Sequence, residues 1–155
     1  MKWYGGTSYQ EKFDRVIATI ERAEAKGYTV LLIGESAGAS MAMNVFAQRD
    51  SLHRLVSLCG VNSPHASISP RIFAHSPAFK GSMARLEGSR QKAVKERIDQ
   101  VSSVTALSDP VVAISANNIP GTKHVRVLSF GHLATILLCL SLYSFVLARQ
   151  VKRFV

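Results

Sequence analysis

Three residues of this chain have the types, order and settings that nucleophilic catalysis needs: Ser36, Asp109 and His132. Ser36 lies in T-V-L-L-I-G-E-S-A-G-A-S, residues 29–40, where an apolar run stops at Gly34 and small residues follow Gly38. A serine hydroxyl is a weak nucleophile until a base takes its proton, and an imidazole does so best when a carboxylate orients it. Asp109 directly follows the strand-like run 101–107, ahead of Pro110. His132 follows the run 124–128, behind Phe130 and Gly131. Each residue alone has an ordinary structural explanation: a tight turn needing two glycines, an aspartate starting a turn, a histidine opening a helix. All three at the ends of successive strand-like runs make the stronger case.

The elements that would position them read as an alternation of strands and helices. Residues 28–33 are apolar on both faces, the pattern of a central parallel strand covered by helices. Residues 37–48 form the helix leaving the turn. Gly34 and Gly38, lacking side chains, let that helix and strand approach each other, and Ser36 is left at the tip. The amides of Ala37 and Gly38 open the helix and face whatever Ser36 attacks. Upstream, Phe13, Val16, Ile17 and Ile20 give residues 9–25 an amphipathic helical period. Residues 52–59 are the next strand, and residues 1–4 are read as the end of an earlier one. Residues 62–100, punctuated by Pro64, Pro70 and Pro77 and then basic and helical from 83 to 98, are expected to form a cap or lid. Gly131 and His132 begin the final apolar helix. The expectation is an α/β fold: one domain, 1–155, with a mostly parallel sheet of about five strands flanked by helices and a helical insertion at 62–100. The carboxyl edge of such a sheet is where ligands bind, and all three residues fall on it.

Other candidates are weaker. His124 begins a strand and lies on the wrong edge; His53 and Arg54 begin another. His65 and His75 sit in proline-rich surroundings that favour exposed loop. Glu35 adjoins the serine but should point away from it, and Met41 and Met43 are most simply core. Cys59 and Cys139 both lie in apolar runs and read as buried small hydrophobes of a reducing compartment; no metal-ligand spacing occurs, so no metal is expected. The net charge of +9 and pI near 10 bear on partners and not on fold. Contact with an anionic membrane surface is expected, and no specific nucleic acid. Residues 1–10 carry no apolar core of a secretory leader, so a cytoplasmic location is expected. Residues 127–148 carry no formal charge with His132 neutral, but Ser129, Gly131 and His132 interrupt them, leaving a segment short for a membrane span.

With G-E-S-A-G at 34–38, S-D-P-V-V at 108–112 and F-G-H-L at 130–133, the chain resembles the α/β-hydrolases from about residue 28 onward. The resemblance implies Ser36 as nucleophile, His132 as general base, Asp109 as the acid orienting it, and the Ala37 amide as one oxyanion donor. It implies a small acyl substrate such as an ester or thioester, and no cofactor. Family members usually carry more strands ahead of the serine and a loop there that supplies a second oxyanion donor. Here that role falls to Gly5 and Gly6. A sheet reduced in this way has an open edge, for which a homodimer through that edge, or a minimal member of the family, is the expectation. Two other readings stand beside the enzyme: a non-catalytic hydrolase-like binding module, and a small protein with a C-terminal membrane-associated helix.

Overall fold

A computed structural model of the chain describes residues 6–152. The first helix, α1 (Tyr9–Glu24), starts at a capping box: the Glu11 amide donates to Ser8 Oγ and the Ser8 amide to the Glu11 carboxylate, at 3.2 and 2.7 Å. The pair satisfies two amides that a helix start otherwise leaves open. Gly27, at φ 79°, follows the end of the helix. Strand β1 (Leu32–Glu35) leads into α2 (Gly38–Phe46), and β2 (Leu55–Leu58) follows. A loop carries α3 (Pro70–His75) and the long α4 (Pro77–Arg97), each with proline at a first-turn position, where its missing N–H leaves no bond unmade. After a turn of 3-10 helix come β3 (Val101–Ser108), the short α5 (Ile114–Asn117) and β4 (Lys123–Phe130). Helices α6 (His132–Leu140) and α7 (Ser144–Lys152) end the described chain.

The four described strands pair in parallel in the order β1-β2-β3-β4, so all their carboxyl ends lie along one edge. The sheet is buried on both faces through its centre, as a helix-covered parallel sheet must be. Successive residues of β2 serve opposite faces: Leu55 joins the core under α1, α2 and α4, and Val56 and Leu58 join the core under α6 and α7. The first core is the larger. Met43, Val45 and Phe46 of α2, Leu86 of α4 and Ile119 are wholly removed from solvent in it. Burial of a side chain that size contributes roughly 1.5–3 kcal/mol, so α2 is the best anchored of the helices around the site.

The elements differ from the sequence expectation at the first described strand, at the insertion and at the final helix. Pairing of the first strand starts at Val30, which accepts from the His53 amide at 3.1 Å, but regular strand begins only at Leu32. The expected strand at 1–4 lies outside the described residues, so four strands are described and not five. The insertion 62–100, expected as a cap, does two different things. Its helix starts six residues earlier than its basic stretch suggested, and Phe79, Met83 and Leu86 pack α4 against α2 as the crossover between β2 and β3. Residues 62–76, with α3, are the part left as a loop excursion. The expected final helix is two, broken at 141–143, where the Ser141 hydroxyl donates to the Leu137 carbonyl at 2.6 Å and Ser141 leaves helical geometry. Among the described residues no single helix is long and apolar enough to cross a membrane; α6 and residues 144–151 meet that length and composition only as a pair bent by 69°.

Candidate active site

The turn that presents Ser36 is built by backbone geometry. Ser36 stands at φ 49°, in the left-handed region where a residue with a Cβ is strained by about 1–2 kcal/mol. Three bonds hold it there: its amide donates to the Leu58 carbonyl at 3.0 Å, and its carbonyl accepts from Val61 and Ala39 at 3.1 and 3.2 Å. Gly34 allows α2 to sit this close, because a Cβ at residue 34 would lie 2.7 Å from Ala39 Cα and 2.8 Å from Ala42 Cβ. The residue that follows β2, Cys59, repeats the device at φ 46°, its amide donating to the Val104 carbonyl at 2.8 Å.

Residues 96 positions apart meet at this turn. His132 Nε2 lies 2.8 Å from Ser36 Oγ, and His132 Nδ1 lies 2.7 Å from Asp109 Oδ2. The other carboxylate oxygen of Asp109 accepts the Val111 and Val112 amides at 2.8 and 3.0 Å, fixing the acid in a turn of its own making. The histidine is brought in by Gly131, whose φ of 91° swings the chain from β4 into α6 and whose amide donates to the Ser108 carbonyl at 2.8 Å. A carboxylate only accepts, so Nδ1 carries the proton and the Nε2 lone pair faces the serine hydroxyl. The Asp109 side chain is fully buried and that of His132 is 12 % exposed, so the pair is shielded while Nε2 meets the serine hydroxyl.

The remaining candidates fall as follows. Ala37 caps α2, and its amide donates to no backbone carbonyl among the described residues; Gly38 opens the helix. Gly5 lies outside the described residues. Gly6 is in an exposed bend ahead of α1, with open space around it. Glu35 lines a groove of about 350 Å³ along the free edge of β1, between Val16, Met41 and Leu140, and takes no part in the Ser36–His132–Asp109 chain. His124 is at the amino end of β4, half-buried, with Nδ1 2.7 Å from Ser103 Oγ; burial and the nearby Arg126 hold its imidazole below the usual range. His53, His65 and His75 are exposed.

Two features of the site escaped the sequence. The cysteines and histidines never cluster along the chain, yet Cys59, Asp109 and His132 place their side-chain heteroatoms within 4.8 Å of one another. Burial, and then the Asp109 charge, push the Cys59 thiol up to about 12, so it stands beside the pair as a neutral group. An ion held by these three would have to remove that proton and break the 2.7 Å bond between His132 and Asp109. The position of Cys59, closing the strand that follows the serine, was the signal available. The second feature is a buried polar knot below the edge. Asn62 Nδ2 donates to Ser57 Oγ at 2.8 Å and to the Asn117 carbonyl at 2.6 Å, and Asn117 Nδ2 donates to the Gly60 carbonyl at 3.1 Å. It ties the loop after β2 to α5, in the segment between β3 and β4 that also holds Asp109. Buried side-chain amides bonded to backbone carbonyls in this way hold the two segments in one register.

No family sequence model matches the chain, and no curated protein matches it in sequence. Solved structures do. The chain is similar to a structure of the metagenome-derived lipolytic enzymes LipS and LipT, with a TM-score of 0.68 and 12% identity, over 95% of this chain and 75% of that one. It is similar to the esterase domain of a Rhodothermus marinus protein, with a TM-score of 0.66 and 14% identity, over 96% and 70%. It is similar also to the Paleococcus ferrophilus monoacylglycerol lipase, with a TM-score of 0.60 and 12% identity, over 96% and 77%. The chain has the α/β-hydrolase fold.

Proposed function

We propose that the protein is a serine hydrolase that cleaves an ester or a related acyl bond through an acyl-enzyme. The observation that carries this is the unbroken hydrogen-bond path from Ser36 Oγ through His132 to Asp109, at 2.8 and 2.7 Å. Ser36 Oγ attacks the carbonyl carbon as Nε2 takes its proton. The tetrahedral oxyanion draws on the Ala37 amide at the start of α2. His132 then returns the proton to the leaving alkoxide, which departs as an alcohol. Water, deprotonated by the same nitrogen, releases the acid and restores the serine. Asp109 stabilises the imidazolium formed in both halves without itself being protonated. No step uses a cofactor.

The test is labelling by a fluorophosphonate probe, which forms a covalent bond only with an activated serine. Native protein should label, and Ser36→Ala and His132→Ala should not, with circular dichroism confirming that all three are folded. Folded native protein that stays unlabelled would sink the enzyme reading in favour of a hydrolase-like binding module.

A further inference from the structure

After Asp109 the sequence contains no further acidic residue, yet Lys123, Arg126, Arg149, Lys152 and Arg153 supply five of the nine excess positive charges. The same stretch displays apolar side chains to solvent. Leu133, Leu137 and Leu140 follow one another at helical spacing along the outer side of α6, while Thr135, Ile136 and Cys139 face the core. Leu142 in the following turn and Phe145 on α7 continue the exposed series, each of the five more than half exposed. The Arg149 guanidinium lies 5.7 Å from the centre of the Phe145 ring, so a cation and an aromatic share the exposed side of α7. Five of the twelve exposed large apolar side chains of the described residues thus fall within thirteen consecutive positions. A contiguous apolar series of that kind marks an interaction surface.

We propose that the α6–α7 face docks onto an anionic lipid surface. The charge decides between occupants. In a two-fold contact between copies, this face would set Arg149 against a surface whose own elements, β4, α6 and α7, carry no Asp or Glu. Anionic headgroups complement the Arg149 cation and the acid-free sequence around it, and the leucines and Phe145 enter the headgroup boundary as an amphipathic helix does. The binding is peripheral and not a span, because Ile136, Cys139 and Leu147 hold both helices in the core against β2, β3 and β4. Docking also places the helix that begins with His132 at the lipid, with the exposed Leu133 next to it in the chain. The proposal does not depend on the hydrolase reading: the same face would bind lipid if Ser36 were inert.

The experiment is sedimentation of the full chain with vesicles of phosphatidylcholine alone and of phosphatidylcholine mixed with phosphatidylglycerol. Binding is expected to the mixed vesicles, weakened by added salt, and at least about tenfold weaker to phosphatidylcholine alone. The double variant Leu137→Ser, Leu140→Ser should lose at least about tenfold in vesicle affinity, and Arg149→Glu about ten- to thirtyfold. Ile72→Ser, an exposed apolar residue on α3, should bind as native protein does. All the substituted side chains are exposed, and unchanged thermal melts would show that the variants are folded. Absence of binding to mixed vesicles, or equal binding to both kinds, would overturn the proposal, as would a folded double variant that binds undiminished. So would a native dimer by light scattering that the double variant turns into a monomer, since that assigns the face to a second copy.

Discussion

Replacing Asp109 by asparagine tests the site more sharply than removing the nucleophile. The side chain has two tasks in the structure: Oδ1 holds the Val111 and Val112 amides, and Oδ2 accepts the His132 Nδ1 proton. Asparagine keeps an oxygen for the two amides, which turns its NH2 group toward His132. A donor at that place makes Nδ1 an acceptor, so the imidazole proton moves to Nε2 and points at Ser36. The serine then faces a donor where it needs a base. Loss of the correct tautomer in this arrangement costs about 10⁴ in kcat, or about 5.5 kcal/mol in the barrier. The fold should be little affected, because the turn bonds persist. Asp109→Ala, by contrast, also strands the two amides and should lose about 1 kcal/mol of stability per bond. The assay is the rate of fluorophosphonate labelling and of turnover of a short-chain p-nitrophenyl ester, alongside thermal melts. An Asp109→Asn protein with native melting behaviour and activity within tenfold of native would refute the assignment of Asp109 as the orienting acid.

Gly34→Ala should place a methyl group 2.7 Å from Ala39 Cα and force β1 and α2 apart. Overpacking of this kind costs about 1–3 kcal/mol, measurable by urea denaturation, and the displaced turn should lower labelling more than the lost stability explains. His124 should make the fold acid-sensitive. Its folded-state pKa is held down by burial, so the unfolded chain binds the proton more tightly and stability falls as pH drops through the ordinary imidazole value of about 6.5. Urea melts at about pH 5 and about pH 7.5 should show this loss in native protein and a smaller one in His124→Gln. An equal loss in both would remove His124 as the cause.

The serine turn and its two partners were legible because each rests on a local rule. Ser36 needed an apolar run, two glycines and a helical start; Asp109 and His132 needed only to close strand-like runs. Parallel pairing then brings strand ends together whatever lies between them. The break at 141–143 was hidden because leucine-rich composition runs across it, and only the Ser141 hydroxyl on a backbone carbonyl marks the change. The role of α4 was hidden for the opposite reason. Its composition is polar and basic, which suits a cap over the site, yet Phe79, Met83, Leu86 and Ala93 seat it in the core with α2. Asn62 and Asn117 carry no sequence signal at all, since their importance lies in being buried together.

The site divides into two machines of different provenance. The proposed proton transfer would need only the ends of β1, β3 and β4, and these are locked to one another: Ser36 to Leu58 and Val61, Gly131 to Ser108, and the loop after β2 to α5 through Asn62 and Asn117. Stabilising the oxyanion needs amide donors beside Ser36, and there the described residues offer the Ala37 amide at the start of α2. One such donor is worth about 2.7–4 kcal/mol, a factor of about 10²–10³ in rate. With the relay intact and one donor short, the barrier would rise most for substrates whose leaving group needs the intermediate to live long. Activated esters, which expel a weakly basic leaving group, would be spared. The preference between the two substrate kinds therefore reports on the oxyanion donors beside Ser36, and not on the Ser36–His132–Asp109 chain.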